Sequence, residues 1–401
     1  MVRVWALEPY YGGSHRQFLD GLSRHSSHDF TLLALPGRHW KWRMHGGALT
    51  LGHQARDLLG TVDRPDVFFA SDMLDLPVFL ATLGSGGGAG ASAGGGASGP
   101  SPLGRGRIPS IVYFHENQLT YPLPPGVERD LGYGFKNLTT AVAADVALFN
   151  SAYHRQEFLS AAVDLLAAMP DAIPAWVPEE IAAKSRVLPL ECDLRALDQH
   201  RSRAAAAVAA GRWGDPAAGP LIVWNQRWEY DKAPEDLLRA LEVLRDGGVA
   251  FRLAVAGSGA AVPSDEFVRA RSVLADRVVH WGKIEKRSDY AALLWAGDVV
   301  VSTAIHEFFG SAVVEAVYCG CRPVLPDRLS YPELIPREAH GEVLYGEGDL
   351  VSTLTRVLAH PHQWSEDWQR TWAARFDWGS LKTRYDETIW ECAMGGKRAR
   401  A

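Results

Sequence analysis

Two glutamates, Glu307 and Glu315, frame the stretch EFFGSAVVE around Gly310 and Ser311. If a helix begins near Gly310, Glu307 lies in the loop at its N-terminus and Glu315 about one and a half turns inside. The amides of Gly310 and Ser311 would then lack intrahelical acceptors and form a place for an anion, with carboxylates beside it. Upstream, VWNQRWEYDKAPEDLL (223–238) sets Arg227 and Lys232 between a strand and a helix starting near Pro234, where cations flank such an anion. Together these groups suit a nucleotide sugar. Glu315 can accept both hydroxyls of a ribose, Glu307 a hydroxyl of the sugar, and the amides with Arg227 and Lys232 neutralise a diphosphate. The plainer reading makes Glu307 a helix-start acid favoured by the macrodipole, Glu315 an exposed helix residue, and the two cations solvated charges. The apolar neighbours Val313, Val314 and Ala316 argue against exposure of Glu315.

The first half of the chain holds two further polar clusters. EPYYGGSH (8–15) carries Gly12 and Gly13, which allow backbone to approach a ligand closely at the start of a helix. A lone Gly-Gly is more often a plain strand-to-helix turn, and no G-x-G-x-x-G accompanies it. YFHENQLTYP (113–122) places His115, Glu116, Asn117 and Gln118 in succession, four hydrogen-bonding side chains suited to a polyhydroxylated ligand. The alternative there is a hydrogen-bonded turn with a satisfied histidine.

Short apolar runs, each followed by a turn and a helical pattern, must position these groups, and that alternation predicts parallel sheets. Strands are expected at 2–8, 29–36, 66–72, 110–116, 145–151 and 186–191, then at 221–226, 251–257, 278–283, 298–304 and 322–326. Helices are expected in SHRQFLDGLSRH, PEDLLRALEVLRDGG, DYAALLWAG and GSAVVEAVYCG. The fold class is therefore α/β, with two Rossmann-like doubly wound domains whose ligands lie beyond the carboxyl ends of the strands. The expected division is a domain at 1–199, a linker at 200–220, a second domain at 221–370, and a final helix with a basic tail at 371–401 that returns to the first domain. The segment 84–107, almost all Gly, Ala, Ser and Pro, reads as a surface insertion, because it cannot bury enough apolar surface to order itself.

Composition excludes several classes. The chain has 401 residues and 47% hydrophobic content, enough for large cores, and its net charge of −6 supplies no global field for nucleic acid. Four sparse cysteines suggest neither a disulfide scaffold nor a zinc site. No stretch approaches the roughly 18 apolar residues of a membrane span, and VRVWALE at the start reads as a strand, so a cytoplasmic protein without membrane partners is expected.

With the motifs assembled, the E-x7-E arrangement, the Arg227 and Lys232 pair and the matched halves resemble retaining GT-B glycosyltransferases, the large family that includes sucrose synthases and many bacterial mannosyl- and glucosyltransferases. The strings YYGGSHRQF, HWKWR, FASDMLDL, YFHENQLTYP, ADVALFNS and NQRWEYDKAPE are similar to those of the tRNA-queuosine mannosyltransferase family and span most of the chain. This resemblance implies two domains facing across a cleft and GDP-mannose as donor. It implies as acceptor the cyclopentenediol of queuosine at the wobble position of a tRNA, with tRNA-Asp the expected carrier. It further implies donor contacts from Gly12, Gly13, Arg227, Lys232, Gly257, Ser258, Lys283, Ile284, Glu307, Phe309, Gly310, Ser311 and Glu315. Acceptor contacts would come from His15, His115, Glu116, Asn117 and Gln118, and the catalytic set would be His115, Arg227, Lys232 and Glu307. No protein nucleophile, cofactor or metal is implied, since cationic side chains take the place of magnesium and the chain has no Asp-x-Asp motif.

The 84–107 insertion departs from the family pattern. Local phosphate contacts would have to come from RHWKWR and the KRARA terminus, with Trp40 or Trp42 stacking on a base, against the commoner role of such tryptophans in a core. Other readings remain: a GT-B transferase with a glycan, lipid or small-molecule acceptor, a nucleotide-sugar sensor without turnover, or a nucleotide-sugar epimerase.

Overall fold

The computed structural model describes residues 1–59, 61–85, 107–257, 259 and 265–398. Most of the 84–107 insertion and the end of the basic tail lie outside these residues. Two compact units result, one from Met1–Tyr121, Glu128–Leu190 and Leu381–Ala401, the other from Pro122–Val127 and Glu191–Ser380.

The first unit holds β1 (Arg3–Tyr11), β2 (Asp29–Pro36), β3 (Val67–Ser71), β4 (Ser110–Phe114), β5 (Val146–Phe149) and β6 (Ser185–Val187). Their order is β2-β1-β3-β4-β5-β6 and every pairing is parallel. Central strands such as VFFAS and SIVYF are buried at every position, as expected of a parallel sheet covered on both faces. The chain reverses direction across the sheet between β1 and β3, which makes the loops leaving those strands the edges of a crevice. β4 stops at Phe114 rather than continuing to Glu116, because the His115 amide donates to the Asp72 carboxylate at 3.0 Å instead of to a ladder carbonyl.

In the second unit, β7 (Leu221–Trp224), β8 (Arg252–Ala256), β9 (Val278–Gly282), β10 (Val299–Val301), β11 (Arg322–Pro326) and β12 (Leu344–Tyr345) run in the order β12-β11-β10-β7-β8-β9. Read from β9, this is the 3-2-1-4-5-6 order of a dinucleotide-binding sheet, with its switch point between β7 and β10. The helices Pro234–Asp246, Arg287–Ala296 and Ser311–Tyr318 cross over between strands, and an apolar core around Ile222, Leu241, Leu253 and Val324 joins the first of them to the sheet. Two residues of β12 are too few to leave a periodic signature, so no sequence reading anticipates that strand.

The division between the units falls after Leu190, ahead of the 200–220 segment expected as a linker. That segment folds into the second unit. Its helix Arg201–Ala209 leads to a buried Trp213, and Arg203 and Arg212 both pair with Asp289 at 2.5 and 3.3 Å. The final helix, Trp378–Arg398, is held to the first unit through Tyr385, whose hydroxyl donates to the Pro189 carbonyl at 2.9 Å, and through Asp386. The Asp386 carboxylate accepts from the hydroxyls of Ser26 and Ser27 and from the Ser27 amide.

Candidate active site

In the second unit, the loops leaving β7 and β10 meet at the N-terminus of the helix Ser311–Tyr318. Gly310 caps that helix with φ of 95°, a left-handed conformation suited to glycine, and a Cβ there would stand 3.3 Å from the Tyr331 ring. Glu307 sits directly at the tip. One carboxylate oxygen accepts from the Gly310 and Phe309 amides at 3.1 and 3.3 Å, while the other lies 3.2 Å from the Lys232 ammonium. Phe309 itself is buried, its ring 5.3 Å from that of Phe376.

Lys232 is almost fully buried, donates to Glu307 and to the His306 carbonyl at 2.8 Å, and forms an ion pair with Asp231 at 3.0 Å. Burial acts to lower its pKa, but the carboxylates of Glu307 and Asp231 outweigh that and hold it above the ordinary lysine value. Glu307 is the mirror case. Burial would raise its pKa, and Lys232 together with the Phe309 amide draws it below the ordinary value. Arg227 lies on the same side, 3.9 Å from Asp231 and 2.9 Å from Glu229, with half its side chain in solvent. The helix tip is thus met by the protein's own carboxylate, and Arg227 is the more accessible of the two cations.

Glu315 is buried on the same helix, and it does not stand apart. Arg287 pairs with it in a fork, at 2.5 and 3.3 Å, and the Tyr290 hydroxyl donates to it at 3.0 Å. Asn225, at the end of β7, donates to Tyr290 at 3.0 Å and to the Ala312 carbonyl at 2.9 Å, which ties the two switch-point loops together. The Asn225 side-chain oxygen is buried with no hydrogen-bond partner among the described residues. Gly257 follows β8 where a Cβ would fall 2.1 Å from the Gln226 carbonyl, so only glycine admits the β7 loop alongside. Lys283 is exposed and pairs with Glu285, and Ile284 beside it is half-buried. Ser258 lies outside the described residues.

The first unit builds its own cluster at the β1–β3 switch point. Glu8, at 0% exposure, accepts from the Tyr10 amide at 2.8 Å and from His15 Nδ1 at 3.0 Å. Burial lowers the His15 pKa, yet the Glu8 carboxylate overcomes it and raises the value to about 9, so His15 is an imidazolium at neutral pH. Its ring lies 4.2 Å from that of His115. Burial, with the charges of His15 and His154, holds His115 well below the ordinary histidine range, leaving it neutral.

The His115 backbone is clamped on both sides, its amide by Asp72 and its carbonyl by Asn150 at 3.0 Å. Asp72 is pushed up to about 7, chiefly by burial. A neutral imidazole held beside a cationic one can accept a hydrogen bond from a sugar hydroxyl. Gly12 opens the helix Gly13–His25 and packs against Gly37, whereas the space beside Gly13, at φ of 53°, is open.

The HENQ run divides on inspection. Asn117 accepts from the amides of Leu119 and Thr120, both at 3.0 Å, and so forms the turn of the plainer reading. Its amide nitrogen is buried without a hydrogen-bond partner among the described residues. The backbone of Gln118 is held by Asn137 and Arg129, while the side chains of Glu116 and Gln118 are partly exposed. Glu8, Asp72, Asn225, Arg287 and Tyr290 are the partners that spacing did not reveal. The available signal was an acid or amide ending an apolar strand, as in VRVWALE, DVFFASD and LIVWNQ. Among the described residues no group of three or more His, Cys, Asp or Glu is arranged for a metal ion, and no helix is long and apolar enough to cross a membrane.

Residues 3–89 and 102–192 match the family model for the tRNA-queuosine alpha-mannosyltransferase N-terminal domain, and residues 212–370 match that of glycosyl transferases group 1. The chain is 34% identical over 338 residues to the tRNA-queuosine alpha-mannosyltransferase of Drosophila melanogaster, covering 84% of this chain and 82% of that one. It is 26% identical over 246 residues to a GDP-mannose-dependent alpha-(1-6)-phosphatidylinositol dimannoside mannosyltransferase of Mycobacterium tuberculosis, covering 61% of this chain and 57% of that one. Among solved structures, HepE of Anabaena in complex with UDP superposes with a TM-score of 0.64 at 15% identity, covering 98% of this chain and all of that one. Sucrose-phosphate synthase of Thermosynechococcus elongatus gives 0.64 at 14%, covering 97% and 98%. These likenesses establish the GT-B fold, and the extended identity to the fly enzyme establishes the rest: the chain is a glycosyltransferase that belongs to the tRNA-queuosine alpha-mannosyltransferase family.

Proposed function

We propose that the protein moves mannose from GDP-mannose to the cyclopentenediol of queuosine at the wobble position of a cytoplasmic tRNA, tRNA-Asp, with retention at the anomeric carbon. The observation that carries this reading is the continuous 34% identity to a queuosine mannosyltransferase across both units. The similarity to a GDP-mannose-dependent enzyme supports the donor. In this scheme the diphosphate lies at the tip of the helix Ser311–Tyr318, where the helix end and Arg227 stabilise the charge that develops as the glycosidic bond breaks. Lys232 orients Glu307 and turns one N–H to hydrogen-bond the leaving phosphate while staying protonated, as Glu307 turns to a sugar hydroxyl and Glu315 to the ribose. In the first unit, neutral His115 accepts from an acceptor hydroxyl, and Glu116 and Gln118 meet the acceptor as well. With cations doing the electrostatic work, transfer needs no metal and survives chelation by EDTA.

Nucleoside mass spectrometry tests the proposal. Purified enzyme, GDP-mannose and queuosine-containing tRNA-Asp should yield a hexosylated queuosine, UDP-glucose should not replace the donor, and Lys232→Ala should cut turnover by about a hundredfold or more. Active protein that adds no hexose to this tRNA would reject the acceptor.

A further inference from the structure

The helix Trp40–Leu59 begins with two tryptophans that the fold leaves in solvent. Trp40 is 38% exposed and Trp42 63%, although tryptophan is normally among the most buried side chains. Trp42 is nevertheless seated. Its ring lies across Gly46 one turn later, where a Cβ would come within 2.6 Å of the indole, so the missing side chain makes room for a ring fixed on one face and open on the other. Trp40 rests on Tyr133, with ring centroids 5.3 Å apart.

The charged side chains of this stretch have one sign, although Asp130 acts on Tyr133 beneath Trp40. Arg38, Lys41 and Arg43 fall within this short turn, and no acidic residue occurs between Asp29 and Asp57. Lys41 lies 5.7 Å from the Trp40 ring, and Arg38 and Lys41 are both exposed.

The position of this turn connects it to the cluster around His115. Tyr133 packs with Met44 and Met73, and Tyr10 packs against that group. The ring of Tyr10 is 6.1 Å from His15, whose ring lies 4.2 Å from that of His115. Met73 directly follows Asp72 at the end of β3. The two exposed indoles therefore stand on the rim of the first unit's switch-point crevice, joined to its histidines by one layer of packed side chains.

We infer that Trp40 and Trp42, with Arg38 and Lys41, form a platform that stacks unpaired bases of an RNA loop and neutralises its phosphates. This inference rests on the acceptor reading above and deepens it by naming the surface that receives the RNA. Stacking on aromatic faces tolerates any base, and it is the means by which proteins hold splayed single-stranded loops. With an overall charge of −6 the chain offers phosphate no global attraction, so RNA contact calls for local basic groups such as these.

The test uses the full-length protein and a fluorescein-labelled hairpin with the anticodon-arm sequence and guanosine at the wobble position, followed by anisotropy. Trp42→Ala and Trp40→Ala should each weaken binding about tenfold, and Trp42→Phe should stay within about threefold of the native chain. Lys41→Ala should reduce the slope of log affinity against log salt by about 1. Gly46→Ala separates binding from folding. Alanine favours a helix, so this variant should melt no lower than the native protein while binding the hairpin more weakly, because it unseats the indole. If the native chain binds the hairpin and these variants bind it equally, the platform is overturned and the acceptor reading stands. If the native chain binds neither hairpin nor whole tRNA, the acceptor reading falls with it.

Discussion

His15 and Lys232 show how single charges are held in these two units. Each is buried, each is raised above its ordinary pKa, and each is held charged by carboxylate partners, Glu8 of β1 for His15 and Glu307 with Asp231 for Lys232. For His15 this has a pH consequence of definite sign. Below pH about 6.5 the imidazole is charged in both folded and unfolded chains, and the pair with Glu8 contributes fully, on the order of 3 kcal/mol. As pH rises the unfolded imidazole loses its proton first, and the contribution disappears as the folded group titrates near 9. Thermal melting followed from pH 7 to 9.5 should show this fall, and Glu8→Gln should flatten it; an equally steep fall in the variant would assign the effect to another group. Much of this site was legible in the sequence: Glu307, Glu315, Arg227 and Lys232 do gather around one helix in the second unit. The hidden part was what each acid already holds. Arg287 reaches Glu315 across 28 positions and Asp72 reaches the His115 amide across 43, and linear spacing carries no trace of such pairings.

Elements constrain these residues chiefly through loops that pass within van der Waals distance. The loop leaving β7 runs so close to Gly257, after β8, that a methyl group there would collide with a backbone carbonyl that has no room to retreat. Gly257→Ala should lower stability by about 1–3 kcal/mol and weaken GDP binding by about tenfold or more, since Asn225, Arg227 and Lys232 all follow from that loop. Calorimetric titration with GDP alongside melting curves checks both, and unchanged GDP affinity would detach the loop from the donor site. Strand positions were readable because central parallel strands buried on both faces, such as β3 and β4, are rich in Val, Ile and aromatics, and the bounds of β2 and β11, 29–36 and 322–326, match those expected. Boundaries were less readable wherever a side chain replaced the ladder, as Asp72 does at His115. The short helices Tyr331–Leu334 and His340–Val343 escaped notice for a related reason, since four residues complete barely one turn of any periodic pattern.

At the scale of the whole molecule, the chain leaves its first unit after Leu190 and re-enters it at Leu381. The returning helix places Tyr385 and Ile389 in full burial and adds the Arg186 to Glu391 ion pair at 2.6 Å and the Asp386 contacts. Each of the two buried side chains contributes about 1.5–3 kcal/mol, so a chain ending at residue 380 should lose a large share of the first unit's stability. Hydrogen exchange should then quicken in β1 to β5 while β7 to β11 keep their protection; uniform quickening would mean that the units do not unfold separately. The re-entry also bears on biosynthesis. On the ribosome, the part of the first unit that precedes Leu190 must wait with an uncovered face until the codons for this helix have been read, while the unit encoded between them can already close. The half that carries His115 is thus begun first and finished last, which gives chaperones a window on it that the other half does not offer.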